Sequence, residues 1–406
     1  MNPPAASGAT QFQKLSVLIA VAVVDMIGLM MVIPLLPFVA TELGATPVTI
    51  GLLISAFSIA QLLSAPFWGR VSDRYGRRPA LLIGLTASTL AYLVFGLAHT
   101  IWLLLISRLV QGAGGGTTGV LNAYVADSIE PADRAKALGW LSAATSAGVS
   151  IGPVIGSAAS HFGASAPGIF AAGLCALNAF FAWRWLPESK AMTAPPTQRK
   201  PVWHAAAEVL RHPSGVVPSL IWIYAGGMLA FTCLTAILAL FLKDDFGVTA
   251  ATIGPFYSYI GILSVVIRAV GLGPAIKWMG ELRGMRVGIL LLIAGLLLYT
   301  QVTTVWQLVL IIPLVPMGTA LVFPTTTSLM TRYSNPAETG MTMGVAQTYG
   351  GISRVVAPFI ATWAYQQIGH GAPFVVGAAL VALVGLIAVR LEPGPVPGPS
   401  PLGDRV

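Results

Sequence analysis

Charge is scarce in this sequence: only 9% of its 406 residues are Asp, Glu, Lys or Arg, against about 25% in ordinary soluble domains. That excludes a soluble enzyme that merely has a large core. Cysteine is nearly absent as well, and Cys175 and Cys233 both fall inside apolar runs, which excludes a disulfide framework and a thiolate metal site. No His or Glu pair stands at metal-ligand spacing, and His99, His161 and His370 fall in or near predicted outer loops. A metal-dependent intramembrane enzyme is therefore not expected, nor is a cofactor. The stretch before Lys14 lacks the apolar segment and small-residue cleavage site of a signal peptide, so the first span is expected to act as the insertion signal.

Apolar residues make up 56% of the chain, and mean hydropathy is +0.81. A bilayer crossing takes about 20 apolar residues. Runs of that order lie at about 15–39, 50–68, 80–98, 101–126, 138–160, 167–187, 217–241, 252–273, 285–302, 305–330, 340–366 and 371–390. The expectation is an all-α polytopic membrane protein with twelve spans. An even count puts both termini on one side.

The net charge of +8 could suggest nucleic acid as a partner in a soluble protein, but the positions of the basic residues decide otherwise. The N-terminus, the even-numbered loops and the tail carry eighteen of the 22 Lys and Arg residues; the other side carries only Lys243, and Arg108, Arg268 and Arg354 lie inside spans. By the positive-inside rule the basic side is cytoplasmic. No nucleic-acid partner is expected.

The longest connection, 188–216, contains APPTQRKP and then VWHAAAEVLRH, which reads as a flexible linker followed by an amphipathic interfacial helix. It separates a six-span half at 1–187 from a second at 217–391. The Pro- and Gly-rich tail at 392–406 is expected to be disordered. The halves echo each other at an offset of 204 in Gly69/Gly273, Gly76/Gly280, Thr100/Thr304 and Trp102/Trp306, and of 205 in Pro131/Pro336, Gly139/Gly344 and Pro153/Pro358. Six spans per copy make this a parallel repeat, which places a binding site at the midplane between halves.

The loop after the second span reads GRVSDRYGRRP. Gly69 can admit close helix approach, Gly76 a tight turn, and Asp73 a helix N-terminus or an arginine. The loop resembles the G-x-x-x-D-R-x-G-R-R signature of the major facilitator superfamily. That resemblance implies that Asp73 latches the second span to the start of the eleventh, near Thr339 and Gly340, while Arg74, Arg77 or Arg78 engages an acid such as Asp127. In the second half the loop reads GPAIKWMGELRGMR, with Lys277 where the first has Asp73, so one such latch is expected.

Asp25 is the only acid in any predicted span. Ten residues beyond Leu15, it lies about 15 Å deep, the middle of a roughly 30 Å core, and an ionisable group there is a functional candidate. A structural carboxylate satisfied by hydroxyls or a buried arginine is the alternative. Its segment, VVDMIGLMMVIPLLPFV, resembles the first helix of tetracycline-type and related drug:proton antiporters, which share an Asp-x-x-Gly core and a Pro-x-x-Pro pattern, here Pro34 and Pro37.

In the fourth span Arg108, Gln111, Gly115, Thr118 and Asn122 recur at helical steps and form one polar stripe. Arg108 and Gly112 resemble the family's R-x-x-x-G motif, which is associated with proton transfer. In the fifth, Gly148, Gly152, Pro153 and Gly156 follow the family's antiporter motif. There Pro153 removes a helix hydrogen bond and the glycines allow close packing. In the eleventh, Gln347 and Arg354 share a face with Tyr349 nearby, and Arg354 either binds an anionic substrate or fixes packing.

The resemblance implies a major facilitator transporter of the drug:proton antiporter branch, resident in a bacterial inner membrane and expected to act as a monomer among lipids. Asp25 and Arg108 would couple protons. Gln61, Gln111, Thr118, Asn122, Gln347, Tyr349 and Arg354 would bind a small-molecule substrate. Tetracycline exporters carry an acid in a segment similar to TASTLAYLVFG, where this chain has Ala91. That favours a hydrophobic or amphiphilic organic substrate over magnesium-tetracycline. An endogenous metabolite, sugar or siderophore is the alternative cargo, and a non-transporting receptor or scaffold the alternative class.

Overall fold

The computed structural model describes residues 8–189, 202–211, 213, 215–335 and 338–392. The linker residues 190–201, the tail from 393, Pro336 of the repeat and the side chains of Lys14 and Thr118 lie outside the described set.

The first half begins with α1 (Gly8–Val32), a 3-10 turn at Ile33–Leu35 and α2 (Leu36–Glu42). Pro34 and Pro37 explain the interruption, since neither can donate a helix hydrogen bond. Next come α3 (Pro47–Tyr75) and α4 (Arg77–Gly96), separated by Gly76 alone. Its φ of +104° is one that residues with a Cβ rarely adopt. The fourth apolar run is two helices, α5 (Ile101–Gly114) and α6 (Thr117–Ser128). Four glycines at 112, 114, 115 and 116 lower helix propensity at the junction, so the polar stripe read through it as continuous is interrupted. α7 (Pro131–Ser160) and α8 (Ala166–Trp185) complete this half.

The described part of the linker contains α9 (Val202–Arg211), which buries Ala206 and Val209 and exposes Leu210. Beyond it run α10 (Val216–Phe246), α11 (Gly254–Val266), a π-helical turn at Ile267–Gly271 that includes Arg268, and α12 (Leu272–Met279). The remainder is α13 (Glu281–Tyr299), α14 (Val305–Ile311), α15 (Leu314–Tyr333), α16 (Thr339–Gln367) and α17 (Ala372–Arg390).

Ten of these segments are long and apolar enough to cross a membrane. The fourth run falls short because its glycines divide it. α16, with 29 residues, has the length to cross at 1.5 Å per residue, but it carries Gln347, Tyr349 and Arg354. With these two, the described residues hold twelve segments of spanning length, matching the apolar runs in number. Contacts divide it into two compact units, Met1–Gln198 with Ala239–Ile262, and Arg199–Leu238 with Leu263–Val406.

Repeat positions recur in matching local roles. Gly76 and Gly280 both have positive φ and precede α4 and α13. Thr100 and Thr304 both cap helices through their side chains, accepting from Leu103 N and Gln307 N. Pro153 and Pro358 both lie inside long helices.

Candidate functional site

Asp25 sits mid-helix in α1 and is buried. Its Oδ2 accepts a hydrogen bond from Thr117 Oγ1 at 3.0 Å. The break at Gly115–Gly116 restarts the helix at Thr117 and so sets that hydroxyl. Tyr92 of α4 closes another side of the pocket: a Cβ at Gly28 would lie 3.2 Å from its ring, and its hydroxyl is in the field of both Asp25 and Arg108. Asn178 of α8 donates to the carbonyl of Val21, 3.0 Å away, holding α8 against the same stretch of α1.

Arg108 is 2% exposed. Its guanidinium lies 5.4 Å from the centroid of the Phe95 ring and 3.4 Å from Ser107 Oγ, while its Nε has no partner among the described residues. Among the described residues, no ion pair joins it to Asp25. Beside it Gln111 is also 2% exposed, and its amide makes no well-formed hydrogen bond among the described residues, although it lies within reach of the Tyr92 hydroxyl. Buried polar atoms are normally satisfied. Arg108 Nε and the weakly held Gln111 amide therefore mark a place where water or a ligand's polar group would be stabilised.

At the basic end of the same helices, Arg77 is the arginine that meets Asp127, with Nε to Oδ2 at 2.8 Å. Its Nη1 reaches Ser72 Oγ and Asp73 Oδ1, each at 2.9 Å. Arg74 instead lies over the Tyr75 ring at 5.5 Å, and Arg78 donates to the Trp183 carbonyl. Sequence reasoning missed Glu188. Its carboxylate accepts from the backbone N–H groups of Arg77 at 2.8 Å and Arg78 at 3.1 Å, satisfying two orphan donors of the α4 N-terminus. The only sequence cue was an acid just beyond the sixth span. Gly69, read as a close-approach position, meets nothing within 4 Å.

A family model described as Major Facilitator Superfamily matches residues 18–358 and 269–405. The chain belongs to the Major Facilitator Superfamily. Members of this family are membrane transporters and not enzymes. The chain is 28% identical over 382 residues to the Tetracycline resistance protein, class C, of Escherichia coli, covering 93% of this chain and 96% of that protein. It is also 28% identical over 349 residues to Multidrug resistance protein 1 of Bacillus subtilis (strain 168), covering 85% and 88%. Among solved structures, the human organic anion transporter MFSD10 (TETRAN) aligns with a TM-score of 0.69 at 24% identity, covering 95% of this chain and 100% of that one. A bacterial homolog of the human lysosomal transporter Spinster aligns at 0.76 with 14% identity, covering 94% and 97%.

In this major facilitator the glycines of the fifth span press against the stretch of α1 around Asp25. A Cβ would come within 2.8 Å of Val23 O at Gly148, 2.8 Å of Ile27 O at Gly152, and 2.5 Å of Met31 O at Gly156. Pro153 lies between them in α7. On another face of α7, Ser150 O accepts from Ser258 Oγ at 2.6 Å.

The proposed substrate residues fall into separate groups. Gln61 donates to the carbonyl of Gly115 at 3.4 Å, bracing the break beside Gln111, and Asn122 is exposed two turns further along. Gln347 is exposed and donates to Tyr224 OH at 3.3 Å. Arg354, half-buried on the same face of α16, has no ion-pair partner among the described residues. Tyr349 does not join them. It is buried on another face, packs edge-on to Trp222 at 5.2 Å, and donates to the carbonyl of Ala206 at 3.0 Å.

Proposed function

We propose that this transporter exports a hydrophobic or amphiphilic small molecule in exchange for protons by alternating access. Its setting would be a bacterial inner membrane with both termini cytoplasmic, and its two six-span halves would serve as the moving bodies. The observation that carries the reading is Asp25, the one acid inside the apolar runs of the sequence, held by Thr117 and, among the described residues, not ion-paired to the buried Arg108. A carboxyl so placed can hold or release a proton according to whether water, a hydroxyl or a guanidinium faces it. The close α1–α7 contact transmits displacement of α7 to the segment that bears it. Similarity to tetracycline and multidrug resistance proteins supports drug-like cargo.

One proton entering down 100 mV supplies about 2.3 kcal/mol, roughly fiftyfold accumulation of a neutral substrate. The test is flux of a broad compound panel in proteoliposomes under an imposed pH gradient. Uphill export that collapses with the gradient supports exchange, and indifference to the gradient refutes it.

A second reading, export of an anionic metabolite, is favoured by Arg354, a cation without an ion-pair partner among the described residues, on the exposed face of α16 that carries Gln347. Preference for anionic members of the panel, lost in Arg354→Gln, would select it.

A further inference from the structure

Away from Asp25, the helices α9, α10, α16 and α17 enclose a groove of about 630 Å³, within the range of about 300–1,000 Å³ typical of small-molecule sites. Its walls include Leu210, Trp222, Leu229, Ile352, Val356 and Leu383. Leu210, Ile352, Val356 and Leu383 are exposed, and three of them belong to helices that cross the bilayer. The groove therefore opens to hydrocarbon.

Its hydroxyls are all satisfied from within the protein. Tyr349 donates to Ala206 O at 3.0 Å, Ser353 to Ala225 O at 3.0 Å, and Thr348 to Gly344 O at 2.9 Å. Sites for polar organic ligands keep a few polar groups free to fix orientation, and these three hydroxyls are not free. A peptide laid in the groove would bring C=O groups with no free donor to meet them and more N–H groups than three hydroxyl oxygens could accept. A saturated chain brings none.

The rim supplies two arginines. Arg390 lies seven residues beyond Leu383, hence on the same face of α17 and about 10 Å further along. Arg211 follows Leu210 in the last turn of α9, and both arginines are exposed. Glu208, also exposed, lies one turn before Arg211 on the same face of α9. An apolar slot with two exposed arginines near its end matches an acyl chain with a phosphate above it.

We infer that this groove holds one acyl chain of an anionic phospholipid, with its phosphate at Arg211 and Arg390. The inference rests on the membrane fold and not on proton exchange.

The test places the full chain in phosphatidylcholine nanodiscs doped with phosphatidylglycerol bearing a diazirine on one acyl chain, and maps the photo-adducts by peptide. Adducts should concentrate on the groove segments of α9, α10, α16 and α17 relative to α4. Ala207→Trp and Leu383→Trp, which fill the groove from exposed positions, should remove them while leaving adducts on α4 and the melting temperature unchanged. Arg211→Gln with Arg390→Gln should lower phosphatidylglycerol adducts roughly tenfold or more and leave those of a diazirine phosphatidylcholine or free fatty acid unchanged. Equal labelling of α4 and the groove, or labelling indifferent to the filling variants, would overturn the site. Displacement of the lipid by a hydrophobic cation would reassign it to cargo, and an equal fall for both headgroups would overturn the arginine contact.

Discussion

Thr117 donates its hydroxyl to Asp25 across 3.0 Å, tying the first residue of α6 to the middle of α1. A hydrogen bond to a charged group contributes about 1.5–3 kcal/mol, and the near-isosteric Thr117→Val removes it with little change in volume. Thr117→Val should lower pH-driven transport roughly tenfold or more while leaving substrate binding, and Thr117→Ser should restore it. Equal transport by all three proteins in proteoliposomes would show that the bond has no part in coupling.

Asp25→Asn keeps the shape of the side chain and removes its titration. Uphill export driven by a pH gradient should disappear, while downhill exchange of labelled substrate continues, because a neutral amide resembles the protonated acid. Concentrative transport at the wild-type rate by the purified variant would make Asp25 structural.

Arg77 joins Asp73, Asp127 and Ser72, but the two carboxylates are not equivalent. The Asp73 side chain is 56% exposed and that of Asp127 30%. Exposed ion pairs contribute about 0–1 kcal/mol, so Asp73→Asn should barely move the melting temperature in detergent while reducing transport. Asp127→Asn leaves a largely buried guanidinium short of a partner and should cost more. Reversal of that order in thermal unfolding would argue that Asp73 is the structural acid.

Gly76→Ala combines two penalties. At φ +104° and ψ 161° a Cβ is disfavoured by roughly 1–3 kcal/mol, and it would sit 2.4 Å from Glu188 Oε2, displacing the cap of α4. Pairing it with Glu188→Gln separates the effects. The glutamine can still accept one N–H bond and should be milder than the alanine in unfolding assays.

The passages were legible because a bilayer forces long apolar runs and concentrates cations on one side. Asp25 was legible because no other acid lies among them. Thr117 was not, since the polar stripe assumed a continuous helix where glycines 112–116 interrupt it. Glu188 and Tyr92 were missed for a different reason: each acts across a tertiary contact, more than 60 residues from its partner, to which local periodicity is blind. Tyr349 was grouped with Gln347 by proximity in sequence, yet two residues along a helix turn the side chain roughly 200°, toward α9.

The glycines of α7 supply the sharpest comparison. Gly152→Ala would bring a methyl 2.8 Å from Ile27 O and 2.7 Å from Met30 Cβ, whereas a Cβ at Gly139 on the same helix meets nothing within 4 Å. A backbone carbonyl cannot swing aside as a flexible side chain can, so α7 must move off α1, and overpacking of this kind costs typically about 1–3 kcal/mol. Gly139→Ala should instead be neutral or slightly stabilising, because alanine favours the helix by about 1 kcal/mol. Because the strained contact lies within a turn and a half of Asp25, Gly152→Ala should also slow pH-driven export beyond what lost folded protein explains. The comparison is transport per folded molecule for the two variants, counted by size-exclusion recovery. Matching rates would mean that the α1–α7 contact holds the fold together without transmitting motion to the carboxylate.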